Sequence, residues 1–406
     1  MDLQGNVNAN AGVDFTGLRG GFTTNTTEYS RPAVANTNGG NDVWEVNAEA
    51  AVPLAKNMRF AEDLEVNGAV RYTDYSTTGS VVTWKVGVNY APTSDLRLRF
   101  TRSRDIRAPS IYELFAGRQL VQPAFLDPHT NTSGFPLQSS EGNPNLVPEV
   151  AKTLTAGAVY RPSWAPGLSV SVDYYDISIS DAIGTIPAAT MAAQCETSNG
   201  ASPLCDNIVR PLPFANRTSA NFPSLILNRN LNIAQLDTHG VDVEIGYATD
   251  LDRIAATLPG RVNVRVLASY QPVLNSRAYP GATVVNSAGA ANLSETRITL
   301  SGGYSVGPFS TDLQVRYLGP QKWTGDPTVF YDIPALKSYT TVALNFGYRF
   351  QVDKKTFNAF LTINNVFDTK PPIFPQFGAI LGALYPTPNG TDVVGRYITG
   401  GVRFEF

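Results

Sequence analysis

Five arginines, Arg97, Arg99, Arg102, Arg104 and Arg107, stand in one short stretch of an alternating segment. Guanidinium groups either attract anions or pair with carboxylates through forked hydrogen bonds. Arg97 and Arg99 share parity, so both project to the same side, and either task is open to them. Cys195 and Cys205 lie in a polar stretch full of Gly, Ser, Asn and Pro. Joined, they would close a short surface loop and imply an oxidising compartment; the alternative is two unrelated free thiols. His129 and His239 are the only histidines and lie far apart, so no histidine-based metal site is expected. There is no Gly-x-Ser-x-Gly elbow, no His-Glu-x-x-His, no phosphate-cradling loop and no ordered triad. The chain therefore reads as a non-enzyme without a cofactor.

Composition narrows the class of structure that must position these groups. The chain has 406 residues and a net charge of −3, which offers no electrostatic case for nucleic acid or an anionic membrane surface. Charged residues are only 16% and aromatics reach 10%. No apolar run approaches the ~18 residues of a membrane helix. A spanning barrel stays open, because each of its strands needs only about 9–11 residues, half of them polar. Met1 is followed by Asp2-Leu3-Gln4-Gly5-Asn6, with neither a basic nor an apolar leader segment. The expectation is a mature form, a fragment, or a chain that is not exported.

Period-two alternation runs from about residue 42 to the end. Trp44, Val46, Ala48, Ala50 and Val52 oppose Glu45, Asn47 and Glu49. The same pattern marks Leu64–Tyr72, Val82–Tyr90, Leu96–Phe100, Leu154–Tyr160, Leu168–Tyr174 and Val262–Tyr270. It returns at Ile298–Tyr304, Leu313–Tyr317, Val342–Phe350, Phe357–Ile363 and Ile398–Phe406. Apolar residues from Leu225 to Tyr247 keep one odd phase across the polar interruption at Gln235–Gly240, which predicts a single long strand over about 224–248. Roughly thirteen strands result, with another possible near 10–24 in a stretch, 1–41, that otherwise reads as loop. Connections are long near 103–149, 183–223, 273–293, 319–337 and 368–393, all at one end of the sheet, with the 74–79 turn the exception. Short turns at one end and long loops at the other are the pattern of a transmembrane barrel. Tyr72, Tyr90, Tyr160, Tyr174, Tyr270 and Tyr348 near strand ends fit an interfacial girdle.

Three segments stand out at strand ends: Arg107-Ala108-Pro109-Ser110-Ile111-Tyr112-Glu113-Leu114-Phe115, Asn143-Pro144-Asn145-Leu146-Val147-Pro148-Glu149 and Asn364-Asn365-Val366-Phe367-Asp368. Together they resemble TonB-dependent outer-membrane receptors: the first is similar to that family's strand-to-loop signature, the second to its re-entry motif and the third to the end of its penultimate strand. Thr399, Gly401, Phe404 and Phe406 fill the slots of an outer-membrane barrel assembly signal. Pro109 and Pro148 remove backbone donors where pairing must stop. Asn364 and Asn365 can satisfy backbone groups as the strand leaves the sheet. Glu113 would titrate abnormally in an apolar neighbourhood.

The resemblance, over about 42–406, implies an all-β, transmembrane antiparallel β-barrel with long extracellular loops. It also implies a cell outer-membrane location in a Gram-negative bacterium. About 13–14 strands of a barrel of roughly 22 would be present, without the plug domain or TonB box. It implies outer-membrane lipid and the barrel-assembly machinery as partners, and TonB and a plug through an N-terminal part not in this chain. The function implied is uptake of a scarce nutrient: a ferric siderophore, cobalamin, haem or an oligosaccharide. Trp323, Phe330, Tyr331 and Tyr385 could stack on a sugar or an aromatic siderophore, or pack loops together. Arg97 and Arg99 would face the lumen, toward an anionic ligand or toward plug and lumen carboxylates. His129, in a long loop, is a lone candidate for haem iron without a partner motif. Two other readings stay open. A passive channel of about 14 strands would pair residues 1–24 with 395–406, and a secreted β module would bury its apolar faces against each other.

Overall fold

Alternating Val, Thr and aromatic residues build long strands whose two faces differ completely in character. The computed structural model describes residues 37–290, 292–323, 325, 335–353, 355–372 and 391–405. Thirteen strands follow one another in sheet order: β1 (Val43–Met58), β2 (Ala61–Tyr75), β3 (Gly79–Thr93), β4 (Leu96–Arg107), β5 (Glu149–Tyr160), β6 (Leu168–Gly184) and β7 (Leu231–Asp250) form the first half. β8 (Arg261–Arg277), β9 (Thr296–Val306), β10 (Phe309–Leu318), β11 (Tyr339–Val352), β12 (Lys355–Asn364) and β13 (Tyr397–Glu405) complete it. Every neighbour is antiparallel, and a two-residue strand, Val285–Asn286, adds to β8 off this path. Among the described residues β1 and β13 pair on one side only, so the sheet is an open wall. The strand expected near 10–24, and hence its pairing with 395–406, lies outside the described residues.

One face of the wall is apolar and bare. Register pairs such as Val46↔Tyr72, Val52↔Val66, Val88↔Phe100 and Val172↔Val243 define it. Val46 and Val402 are more than half exposed, at 53% and 55%. The hydrophobic core cluster lies elsewhere, in the loops: Phe125, Ile186, Met191, Ala192, Cys195, Ile208 and Ile226. A secreted sandwich would pack these valines against a second layer. Among the described residues nothing covers them, which is the arrangement that needs lipid as solvent.

The connections differ at the two ends. Turns at 59–60, 94–95, 161–167, 251–260 and 307–308 close one end, where Val352 and Lys355 also pair. The other end carries the 76–78 turn and the long connections 108–148, 185–230, 278–295, 319–338 and 365–396. Aromatic rings mark the short-turn end. Tyr90 donates to the Phe60 carbonyl at 2.6 Å and Tyr304 to the Pro259 carbonyl at 3.0 Å. Tyr348, Phe350, Phe357 and Phe404 form a run of neighbouring rings across β11 to β13. Such rings keep an apolar body in the wall and a polar tip near water. Tyr174 and Tyr270 fall in mid-strand rather than at an end, because β6 and β8 continue well past them.

The single strand expected over 224–248 is divided. Leu225–Arg229 belongs to a separate four-stranded sheet, pairing in parallel with Leu137–Glu141, and β7 starts at Leu231. The odd phase is continuous across the break, since two successive strands of one direction keep the same alternation. Ile226, the even residue, is the one buried in the loop core. Across Gln235–Gly240 β7 is indeed one strand, with a bulge between His239 and Val241.

Candidate functional site

The polar face of the wall holds the first set of functional side chains. Arg99, Gly157 and Asp173 are in register on β4, β5 and β6. Glycine on the middle strand leaves room for the outer two to bridge, Arg99 Nε donating to Asp173 Oδ1 at 2.7 Å. A Cβ on Gly157 would stand 1.9 Å from that oxygen. The pair lines a recess of about 430 Å³ with Asp242, Glu244, Arg297 and Thr299. Arg265 Nε donates to Glu244 at 2.8 Å beside it. Arg97 shares the face two residues nearer the short-turn end, exposed and with no ion-pair partner among the described residues. Arg102 and Arg104 are in register with Val86 and Trp84 on the opposite, apolar face.

At the rim, two motifs separated in the chain become one unit. β4 ends at Arg107, and Ser110 starts helix α1 (Ile111–Phe115) with a capping box, its hydroxyl accepting from the Glu113 N–H while the Glu113 carboxylate accepts from the Ser110 N–H. Arg107 donates to Glu149 through Nε at 2.7 Å and Nη2 at 2.6 Å, and to Glu113 at 3.0 and 3.1 Å. Burial raises the Glu113 carboxyl, but Arg107 and the Ser110 donors outweigh it and hold the group below its ordinary value. Glu149 also accepts from the Ile183 N–H at 2.7 Å, tying in β6. The end of α1 is satisfied by the second motif, Gly142 N–H donating to Ala116 O and Asn143 N–H to Glu113 O, each at 2.9 Å. Asn143 reaches the Asn230 carbonyl, while Asn232 bridges Val147 and Asp181. The run Asn228-Arg229-Asn230-Leu231-Asn232 thus hands the chain from loop to wall. Pro109, Leu114 and Leu146 are buried in this unit and Ala108 and Pro148 half-buried, while Pro144 and Asn145 are exposed.

Above the rim the loops fold into a compact lobe. Its four-stranded sheet runs Ile208–Val209, Leu225–Arg229, Leu137–Glu141, Gln119–Val121, and helix α2 (Ala188–Thr197) packs beside it. Cys195 and Cys205 are joined as a disulfide. The Asp127 carboxylate is fully enclosed, taking Arg210 Nη1 at 2.7 Å and Nη2 at 2.8 Å. Burial pushes this carboxyl up; Arg210 and Thr130 more than reverse it, leaving it below the usual range. His129 is buried and stacked on Phe214 at 4.1 Å between centroids. Its Nδ1 lies 2.7 Å from Glu196 and its Nε2 3.1 Å from the Asn216 carbonyl. Both ring nitrogens are occupied, so the histidine considered for haem iron is a structural member of the lobe. Among the described residues no group of three or more His, Cys, Asp or Glu gathers to hold a metal ion.

The remaining expected residues scatter. Trp323 is buried, at 7% exposure, within a loop rather than presented to a ligand. Phe330, Tyr331 and Tyr385 lie outside the described residues, as does Phe406. Thr399, Gly401 and Phe404 sit on β13 in register with Thr362, Phe360 and Phe357. Asn364 closes β12. Asn365 turns the chain, its amide accepting from the Thr369 N–H at 2.9 Å and donating to the Thr369 carbonyl at 3.0 Å. Val366 N–H donates back to Val342 O, and Phe367 is exposed. Asp368 accepts from the Arg396 N–H at 3.0 Å, then from Lys370, and both hold its carboxyl below the ordinary value. Asp173 and Gly157 escaped the sequence reading, although register parity would have found them. Asp127, Arg210 and Glu196 carried no periodic signal at all.

An antiparallel wall with one bare apolar face, one charged face and loops massed at one end defines part of a large transmembrane β-barrel. The family model described as TonB dependent receptor-like, beta-barrel matches residues 1–366, and the chain belongs to that family. Solved structures share the fold. The siderophore receptor PirA from Acinetobacter baumannii is 14% identical, with a TM-score of 0.56 over 90% of this chain and 46% of its own. The ferric enterobactin receptor PfeA from Pseudomonas aeruginosa is 14% identical, with a TM-score of 0.57 over 90% of this chain and 45% of its own. The FrpB iron transporter from Neisseria meningitidis is 14% identical, with a TM-score of 0.53 over 89% and 44%. This chain therefore spans about half the length of each. No curated protein matches it in sequence. The family is one of transport receptors, whose members reside in the outer membranes of Gram-negative bacteria.

Proposed function

We propose that this chain supplies barrel wall and ligand-collecting loops to an outer-membrane receptor that takes up a ferric siderophore. Uptake would be driven by TonB through a plug domain, and no bond in the nutrient is broken. The observation that carries this reading is the wall itself: an uncovered apolar face, a charged face behind it, and the long connections massed at one end. Two relatives of the same fold are named as siderophore and ferric enterobactin receptors, which favours that class over cobalamin or an oligosaccharide. Haem gains nothing from His129, whose nitrogens are spent inside the lobe. Arg97 and the charged recess around Arg99 would then line the route of an anionic iron complex. The β13 pattern Thr399, Gly401 and Phe404 would be read by the barrel-assembly machinery.

The test expresses the whole natural polypeptide in cells lacking their own siderophore receptors and supplies radioactive iron on a panel of siderophores. Haem, cobalamin and an oligosaccharide serve as competitors. Uptake of at least one ferric siderophore that stops on TonB depletion is expected. Uptake indifferent to TonB would instead mark a passive channel, and competition only by haem or cobalamin would reassign the nutrient.

A further inference from the structure

His129 ties together the two longest connections, and the atoms around its ring decide how many protons that ring carries. The imidazole belongs to the 108–148 connection and is almost fully enclosed, with a side-chain exposure of 1%. Its ring partners come from the 185–230 connection: Glu196 on α2, Phe214 and Asn216. Nε2 stands 3.1 Å from the Asn216 carbonyl, which has no proton to give, so Nε2 must donate. Nδ1 stands 2.7 Å from Glu196 Oε2. Arg217 donates to the other oxygen of that carboxyl at 2.5 Å, and the ring and Arg217 hold the group below its ordinary value. Glu196 is therefore an ionised acceptor as well, and Nδ1 must donate too. A neutral imidazole has one N–H and would turn a lone pair toward one of these two oxygens. Only the imidazolium satisfies both.

The surroundings suit a positive ring. Phe214 stacks on it at 4.1 Å between centroids and 28° between planes, and an aromatic face attracts a cation. Burial works against a charge, which is why a counter-ion at hydrogen-bond distance matters here. The charged groups close by are Glu196 and Asp127 on one side and Arg217 and Arg210 on the other. Asp127 accepts from the His129 backbone N–H at 3.3 Å. Arg210 is engaged with Asp127 and Arg217 with Glu196. The Asn216 carbonyl also accepts from Asn221 Nδ2 at 2.7 Å, which fixes its direction.

We propose that His129 is a doubly protonated bolt between the two longest loops, and that the bolt opens in alkaline medium. The contact is intact while the ring keeps both protons. As pH rises and one proton leaves, a buried oxygen faces a lone pair and the contribution of the contact is lost. The Arg210–Asp127 pair and the parallel strands Leu137–Glu141 and Leu225–Arg229 remain, so the loss frees 128–134 and 213–218 without unfolding the lobe. Its consequence for uptake rests on the receptor reading above: a grip of the outer loops that relaxes as the medium turns alkaline.

The whole natural polypeptide, carrying histidine labelled at its ring nitrogens, is titrated from about pH 5 to about pH 10 and followed by NMR. The signals missing from H129Q are those of His129. Both of its nitrogens should carry protons at neutral pH. Loss of one on raising the pH should coincide with a fall of about tenfold to a hundredfold in amide protection over 128–134 and 213–218. Protection factors are compared rather than raw rates, because intrinsic exchange itself quickens with pH. In H129Q protection there should already be low at neutral pH and should not change further, while β2 to β6 stay protected. E196Q should move the ring titration to lower pH, which a histidine that merely fills space would not show. A single N–H on His129 at neutral pH overturns the proposal, and so does protection that ignores deprotonation. Should H129Q fail to fold, E196Q identifies the ring as the one whose titration moves, and the absence of any moved titration overturns the proposal equally. None of these readouts depends on what the receptor carries, so they stand or fall apart from the uptake experiment.

Discussion

At the scale of single residues, Gly157 shows how a missing side chain does electrostatic work. Arg99 and Asp173 meet across it, and any Cβ would collide with the carboxylate. Gly157→Ala should cost on the order of 1 kcal/mol in urea unfolding, since the pair is partly exposed and screened. In an Asp173→Ala background the same substitution should cost almost nothing, because the colliding oxygen is gone. Glu196 makes a pH-dependent prediction. The His129 ring, and then Arg217, hold its carboxyl below the ordinary value. A depressed carboxyl contributes stability that is fully present above its unfolded value of about 4.5 and is lost as pH falls through the lower folded value. Hydrogen exchange over 188–217 should therefore accelerate below about pH 4.5, and Glu196→Gln should flatten that step.

At the scale of elements, the rim unit and the lobe are separable. Arg107 holds the end of β4, α1 and the start of β5 through two carboxylates. Arg107→Ala leaves Glu113 and Glu149 facing each other without a cation, which should cost about 1–3 kcal/mol and open 116–148 to proteolysis. Arg107→Lys should rescue only part of this, because a point charge cannot make both forks. The lobe's disulfide closes a short loop, with a sequence separation of 10. Removing it by Cys195→Ser/Cys205→Ser should cost about 2–3 kcal/mol. Faster amide exchange should be confined to the lobe, while β2 to β6 remain protected. The sequence marked 107–115 and 143–149 each as the end of a strand at a long loop, but not that the two meet. Which carboxylate each arginine takes was not legible, because that depends on where two loop ends stop in space.

At the scale of the whole molecule, the defining feature is an apolar face that no protein layer covers among the described residues. A charge placed there near mid-height should be costly, and the same charge on the polar face should not. Val172→Arg should destabilise by about 2–4 kcal/mol in lipid, while Thr101→Arg should be nearly neutral. Comparing the two by unfolding in vesicles tests the orientation of the wall directly. Without amphiphile the wild-type chain should aggregate, since the valine rows are uncovered among the described residues.

Alternation with a period of two is a property of the local backbone, so the sequence alone was enough to sort side chains to two faces. It also placed nearly every strand and gathered the long loops at one end. It could not tell one strand from two in succession, which is why 225–229 was read as part of β7 until pairing with 137–141 assigned it to another sheet. Neither could it see that His129, Asp127 and Trp323 are buried, since their surroundings come from segments up to 87 residues away for His129 and 83 for Asp127. Such contacts are decided by the closure of long loops, where no repeating pattern records which partner is met. Tertiary structure alone set those pairings, and with them which of the arginines are neutralised and which still face outward.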